Sequence, residues 1–201
     1  MNESQLIHLL RAAHRSSGTK EILVIGSQAI LGGKPDAPKS LRISNEADFC
    51  TPLDPDLSNL IDGSLGERSA FHNTFGYYAH GVAQESATLH PNWKKRAVEK
   101  TYDDAPGIKA TFLAPVDIVY AKLAAGREKD MEYIREVFRN KIIKQSQLAS
   151  LINTCPDANV KTKLAQNYEV ITGKKIPTTL PSAESVNKKG NVGKTPDTPP
   201  L

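Results

Sequence analysis

Residues 22–27 read Ile-Leu-Val-Ile-Gly-Ser, an uninterrupted apolar run that stops at a Gly-Ser pair. Short β-branched runs of this kind are typical of a strand buried on both faces, so the run predicts a central strand. Gly26 leaves the backbone N–H groups after the strand open to approach, and Ser27 adds a hydroxyl. The stretch therefore predicts a buried strand that ends in a phosphate-binding type of turn.

A second strand is predicted over residues 45–51, where the alternation places Glu46 and Asp48 on one face. Two carboxylates that project side by side need a counter-charge, which a divalent ion such as Mg²⁺ or Mn²⁺ supplies. Paired ions also neutralise a leaving pyrophosphate. Glu46 and Asp48 are thus candidate metal ligands, with an exposed edge-strand pair as the alternative interpretation. No third metal carboxylate is evident on a later strand.

An N-terminal helix is predicted before the first strand, and Gly18 is placed to end it. Residues 28–31 predict one or two helical turns after the Gly-Ser pair. The apolar positions that recur at helical spacing in the first helix are Leu6, Leu9, Leu10 and Ala13.

Residues 71–113 are rich in Gly, Tyr and Thr, which predicts further strands, with 76–82 and 109–113 as the best candidates. Beyond this segment the apolar spacing predicts only helices, two of them capped by Ser146 and Asp157. We therefore expect an α+β fold, in which a small mixed sheet is flanked by helices and followed by a C-terminal helical half.

The 201 residues are 39% hydrophobic and 24% charged, enough apolar material for one core. We expect one domain over residues 1–173, with its sheet in about 1–113 and its helical part in about 114–173. Residues 174–201 hold five of the 13 prolines and few apolar side chains, which predicts a disordered tail. This tail carries +3 of the formal charge of +4, so any contact of the body with RNA must use a local basic cluster.

The composition excludes several classes of protein. Cys50 and Cys155 lack the spacing of a zinc site or a disulfide scaffold, and both are expected to be buried. No apolar run approaches the ~18 residues of a membrane span, and the first ten residues do not resemble a signal peptide. We expect a cytoplasmic protein that does not contact a membrane.

Two further stretches carry charged residues in a recognisable order. Residues 42–48 read Arg-Ile-Ser-Asn-Glu-Ala-Asp, and residues 120–130 read Tyr-Ala-Lys-Leu-Ala-Ala-Gly-Arg-Glu-Lys-Asp. With the pair at 26–27, these motifs resemble the polymerase-β-type nucleotidyltransferase superfamily. Within it they resemble the bacterial abortive-infection branch, the AbiE-type toxins and their uncharacterised nucleotidyltransferase-like relatives. Residues 75–82 and 93–96 also resemble those uncharacterised relatives.

The resemblance implies a Mg²⁺- or Mn²⁺-dependent enzyme that moves a nucleoside monophosphate from an NTP to RNA, such as tRNA, or to a protein. It also implies a role in toxin–antitoxin or phage-defence biology, with a cognate toxin or antitoxin as partner. Gly26 and Ser27 would hold the phosphates, and Glu46 and Asp48 the metal. The rival functions are a catalytically inactive nucleotide- or RNA-binding module and an antitoxin-like interaction protein.

The same resemblance implies that Lys122 contacts the nucleotide phosphates, with Arg127 beside it, and that Asp130 is the later acid of the toxin branch. Asp48, Lys122 and Asp130 are then the catalytic set. Helical spacing predicts that residues 122, 126 and 130 lie on one i+4 ridge of a continuous helix, where Gly126 leaves room between the two side chains and both face one cleft. The alternative is a solvated charged face with an i,i+3 pair between Arg127 and Asp130.

Three other features carry weaker functional interpretations. His80 could orient a base or phosphate, or be held by an ordinary hydrogen bond. Tyr77 and Tyr78 could stack on a nucleobase, although aromatic residues on a strand usually belong to the core. Residues 94–96, Lys-Lys-Arg, are the best basic cluster of the body, and could contact RNA or be ordinary surface.

Overall fold

The computed structural model describes residues 1–176, which form eight α-helices and five β-strands. The helices are α1 (Glu3–Ser17), α2 (Ile30–Gly33), α3 (Leu57–Leu65), α4 (Ala70–Phe75), α5 (Pro115–Ala125), α6 (Glu128–Arg139), α7 (Gln145–Asn153) and α8 (Ala158–Thr172). The strands are β1 (Glu21–Ile25), β2 (Glu46–Cys50), β3 (Tyr78–Gly81), β4 (Val98–Tyr102) and β5 (Ala105–Phe112). The predicted disordered tail lies, from residue 177 onward, outside the described residues.

The five strands form a mixed sheet in the order β3-β2-β1-β5-β4. β1 lies at its centre, antiparallel to β2 and parallel to β5. β3 runs parallel to β2, and β4 antiparallel to β5. The side chains of Ile22–Ile25 are at most 3% exposed, which confirms the predicted central strand. The mixed sheet and the helices around it confirm the α+β fold class.

The first helix covers the sheet together with α3, against which it packs. Asn2 caps its N-terminus, and Gly18 ends it with a φ of +74°, as the sequence predicts. Its four predicted apolar positions are completely buried. This N-terminal half supports β1 and β2, which carry the Gly-Ser turn and the Glu46–Asp48 pair.

The C-terminal half is built around α5, which contacts α6, α7 and α8 and joins the sheet half through α2 and the turn after β1. Pro115 occupies the first turn of α5, and Asp157 caps α8 by accepting hydrogen bonds from two backbone N–H groups. No helix within residues 1–176 is both long enough and apolar enough to cross a membrane.

The sequence patterns misplaced or missed a few secondary-structure elements. Residues 71–75, placed in a strand-rich region, belong to α4, where the Ser69 side chain accepts a hydrogen bond from the backbone N–H of His72. Ser146 is not a cap, because α7 already begins at Gln145. The short helix α3 and the edge strand β4 escaped sequence analysis, since each is recognised by packing on neighbouring elements rather than by a clear apolar period. Both cysteines are buried, as expected.

Candidate active site

The Gly-Ser turn is shaped by the contact between two strands. At Gly26 the backbone takes φ +67° and ψ −162°, a combination that glycine adopts far more readily than other residues. A Cβ atom at this position would lie 1.9 Å from Oδ2 of Asp48. Ile25 is paired with Asp48 across the antiparallel strands, so the turn and the carboxylate meet. The absence of a side chain at residue 26 is what allows Asp48 to lie against the turn.

Ser27 begins the short 3₁₀ turn Ser27–Ala29 that follows. Its carbonyl oxygen accepts a hydrogen bond from the Tyr133 hydroxyl of α6 at 3.3 Å, which ties the turn to the helical half. Within residues 1–176 the hydroxyl of Ser27 has no hydrogen-bond partner. The turn is therefore held by its backbone, while its hydroxyl stays available to a ligand.

Strand β2 alternates between core and cleft as the sequence predicts. Ala47 and Phe49 are completely buried, whereas Glu46 and Asp48 are partly exposed on the other face. β3 adds His80, which is paired with Asp48 in the parallel register. The His80 Nδ1 atom lies 3.0 Å from Glu46 Oε1 and 3.5 Å from Asp48 Oδ1. One imidazole thus faces both predicted metal carboxylates.

The electrostatic environment of Asp48 disfavours its ionised form. Burial, and then the charge of Glu46, raise the pKa of Asp48 to about 6, although the charges of His80 and Lys122 act in the opposite direction. Burial, followed by the charges of Glu46 and Glu67, also raises the pKa of the Tyr78 hydroxyl to about 12. Negative charge is therefore concentrated at this edge of the sheet, where a cation would relieve it.

The donor atoms suit a divalent ion. One ligand atom each from Glu46, Asp48 and His80 can be chosen so that all three lie within 4.8 Å of one another. Carboxylate oxygens suit Mg²⁺ and Mn²⁺, and an imidazole nitrogen is a common ligand of transition metals. The residues present therefore fit a divalent metal ion.

A second charged cluster joins α5 to α6. Lys122 Nζ donates to Asp130 Oδ1 at 2.8 Å, and Arg127 Nε donates to Asp130 Oδ2 at 2.6 Å. The Asp130 side chain is completely buried, and Lys122 also lies over the Tyr133 ring, 4.7 Å from its centroid. Both oxygens of Asp130 are therefore engaged by cations, and the carboxylate is not free to bind a metal or substrate.

Burial and the two neighbouring cations act in opposite directions on the pKa of this carboxyl. Burial alone would raise the pKa of Asp130, but the hydrogen bonds and charges of Arg127 and Lys122 outweigh burial and hold the pKa below its ordinary value. Asp130 is thus a permanent anion near neutral pH. It fixes the position of Lys122, whose side chain is only 15% exposed.

The predicted continuous helix through residues 122–130 is wrong. The chain leaves α5 at Gly126, which has a φ of +72°, and α6 starts at Glu128. Lys122 and Asp130 meet across this turn rather than along one helical ridge. The i,i+3 pair between Arg127 and Asp130, the alternative interpretation, is present at the same time.

An open cleft of about 1250 Å³ lies between the β2–β3 edge of the sheet and helices α5 and α6. Asp130 lies behind its wall, in contact with Lys122 and Arg127. The other predicted site residues all line the cleft, together with His80: these are Gly26, Ser27, Glu46, Asp48, Lys122 and Arg127. Residues that are up to about 100 positions apart in the chain are thus brought to one site.

The remaining candidates lie elsewhere. Tyr77 is buried, and its hydroxyl is 2.8 Å from His8 Nδ1, so it belongs to the core rather than to a stacking platform. Arg96 donates two hydrogen bonds, of 2.8 and 2.6 Å, to the buried carboxylate of Asp117. The basic cluster at residues 94–96 therefore loses one cation to a structural ion pair.

Comparison with known proteins gives one family. Residues 4–173 match the model of the family described as "Nucleotidyltransferase of unknown function (DUF6036)". No curated protein and no solved structure gives a significant match to the chain. The matched residues span the whole sheet and all eight helices, apart from the first residue of α1.

Proposed function

Because this chain belongs to the DUF6036 family of nucleotidyltransferases of unknown function, we propose that it transfers a nucleoside monophosphate from an NTP to an acceptor hydroxyl and releases pyrophosphate. One observation carries the proposal. The glycine turn at residue 26, the Glu46–Asp48 pair and the ammonium group of Lys122 converge on a single cleft. These are the groups that phosphoryl transfer needs for binding phosphate, metal and developing charge.

In the proposed reaction the acceptor oxygen forms a bond to the α-phosphorus, and the bond from that phosphorus to the pyrophosphate oxygen breaks. Glu46 and Asp48 would hold a divalent ion, which would supply positive charge to the phosphate oxygens and activate the acceptor hydroxyl. Asp48 accepts the proton that the hydroxyl loses. Backbone N–H groups of the turn and the Ser27 hydroxyl bind the phosphates.

Lys122 and Arg127 supply positive charge to the leaving pyrophosphate from the opposite wall of the cleft. Asp130 does not touch the substrate in this scheme. It acts as a positioning residue, because its buried carboxylate holds both cations in place at 2.8 and 2.6 Å. Preorganised charge of this kind stabilises the transition state without reorganising during the reaction.

For the acceptor we favour RNA, such as tRNA, over a protein. The cleft is lined on its helical side by exposed cations that outnumber the acidic side chains Glu132 and Glu136; these cations are Arg127, Lys129, Arg135, Arg139 and Lys163. An excess of positive charge beside the reaction centre suits a polyanionic backbone. A role in toxin–antitoxin or phage-defence biology, with a cognate protein partner, is the biological setting that we propose for this chemistry.

The test uses the full chain with each of the four α-labelled NTPs, Mg²⁺ or Mn²⁺, and total RNA. We expect label in RNA, and a turnover that falls by roughly 10²-fold or more in Lys122→Met, while NTP affinity falls much less. Lys122→Arg should restore turnover only in part, because a planar guanidinium does not reproduce a compact ammonium group. Lys20→Met, which removes an exposed lysine outside the cleft, is the matched control.

Two results would contradict the proposal in different ways. An unchanged turnover in Lys122→Met, in a protein that transfers label, would remove Lys122 from the active site. NTP binding without transfer to any acceptor, under both metals, would instead favour the inactive binding module. Circular dichroism at the assay temperature verifies that each variant is folded.

A further inference from the structure

His80 enters the acidic cluster from a different strand, through the parallel register that sets it beside Asp48. Its Nδ1 atom is 3.0 Å from one carboxylate oxygen of Glu46 and 3.5 Å from one of Asp48. Neighbouring ligands of an octahedral ion with bonds of ~2.1 Å lie ~3 Å apart. The two distances from His80 Nδ1 are close to that spacing, and the three donors lie within 4.8 Å of one another.

We propose that His80 is the third protein ligand of the metal site and that it makes the site select Mn²⁺ over Mg²⁺. The proposal rests on the metal site of the proposed function and adds to it the identity of the ion. Mg²⁺ is a hard ion that prefers oxygen ligands and is usually bound through one or two carboxylates. Imidazole suits transition metals better than it suits Mg²⁺, so the His80 nitrogen shifts the preference away from Mg²⁺. Among transition metals the two carboxylates favour Mn²⁺, which oxygen ligands suit.

The His80 ring lies where a metal ion in the cleft can reach it. Its side chain is 46% exposed and faces the cleft, so the ring is not held by a surrounding core. The contact with Glu46 is its one hydrogen bond within the described residues. An exposed pair of this type contributes little to stability, so fold maintenance gives no strong reason for a histidine here.

A second histidine of this region provides a matched control. His72 lies on α4, contacts the Tyr78 ring in a tilted arrangement with centroids 4.6 Å apart, and accepts a hydrogen bond from the backbone N–H of Arg68. It does not line the cleft. Replacing His72 therefore removes an imidazole of similar setting without touching the three donors.

The experiment measures metal binding directly, with the full chain and Mn²⁺ alone. Pulsed electron paramagnetic resonance of the Mn²⁺-loaded protein should show coupling to one ¹⁴N nucleus, which changes to ¹⁵N coupling when histidine is supplied as the ¹⁵N form. His80→Asn should abolish the coupling and weaken Mn²⁺ binding by about tenfold or more, while His72→Asn should change neither.

A second variant tests selectivity by changing only the donor atom of the third ligand. His80→Asp replaces the nitrogen donor by oxygen and should lower the ratio of the Mg²⁺ to the Mn²⁺ dissociation constant by about tenfold or more, measured by competition. A retained ratio in His80→Asp would overturn the proposed selectivity, since the variant still binds metal through Glu46 and Asp48.

The outcomes separate this inference from the proposed function. Mn²⁺ binding that depends on Asp48 but shows no nitrogen coupling would overturn the role of His80 and leave the carboxylate site standing. Failure of Mn²⁺ to bind the wild-type protein at all would instead overturn the metal site on which the proposed reaction depends. Nitrogen coupling that survives in His80→Asn would assign the ligand to another residue and overturn the inference.

Discussion

Asp48→Asn is expected to stabilise the metal-free protein and to remove its response to divalent ions. The substitution keeps the shape of the side chain, which lies against Gly26, and deletes only the ionisable group. Burial and the nearby charge of Glu46 make the ionised form of Asp48 unfavourable. Removal of this charge should therefore lower the free energy of the folded state. When a metal ion is bound, the negative charge of Asp48 becomes favourable, because it contributes to metal binding.

The magnitude follows from the pKa of Asp48, which rises from an ordinary 3.8 to about 6. At ~1.4 kcal/mol per unit this corresponds to an upper limit of ~3 kcal/mol. The Asp48 side chain is 28% exposed, and its charge is screened by solvent, so we expect about 1–2 kcal/mol.

The pH dependence has a definite sign. A carboxyl whose pKa is raised by folding binds its proton more tightly in the folded state, so the folded state is favoured at low pH. This contribution is complete below about pH 4 and is lost as pH rises to about 6, the pKa of Asp48 in the folded protein. The stability difference between Asp48→Asn and wild type should therefore be small at pH 4, open between pH 4 and 6, and stay constant above.

Urea unfolding in EDTA at several pH values measures this difference, with the exposed residue Asp36 as the control in Asp36→Asn. Added Mn²⁺ at ~100 times its dissociation constant should then stabilise wild type by ~2.7 kcal/mol and leave Asp48→Asn unchanged. If Asp48→Asn is less stable than wild type at pH 7.5 without metal, the ionised carboxylate is favoured by the fold and the reasoning is refuted.

Two further substitutions test the supporting structure. Asp130→Asn should lower the free energy of unfolding by about 3 kcal/mol, because it removes the buried negative charge that binds two cations. Glu128→Gln, an exposed position on the same helix, should change the free energy of unfolding by less than ~0.5 kcal/mol in the same urea titration. Gly26→Ala should abolish Mn²⁺ binding measured by calorimetry, since its Cβ would collide with the carboxylate of Asp48. Gly107 has a similar positive φ, but no atom lies near the position that a Cβ would take. Gly107→Ala should therefore bear backbone strain of about 1–2 kcal/mol and keep full metal binding. Equal metal binding in the two alanine variants would contradict the close approach of Asp48 to Gly26.

Local sequence patterns are enough to locate the secondary-structure elements that depend only on neighbouring residues. The β-branched run at residues 22–25 identifies the central strand, because burial on both faces leaves no polar alternation. The period of two in β2 places Glu46 and Asp48 on one face for the same elementary reason. Helix ends at Gly18 and Asp157 follow from backbone and capping chemistry.

The assembly of the site depends on distances that no local period encodes. His80 becomes a neighbour of Asp48 only through the parallel pairing of β2 and β3, the two strands on which α3 packs. Lys122 reaches Asp130 because the chain reverses at Gly126, where helical spacing predicted a straight ridge. Strand pairing and helix docking bury apolar surface over the whole domain, so tertiary packing decides which charged side chains share the cleft.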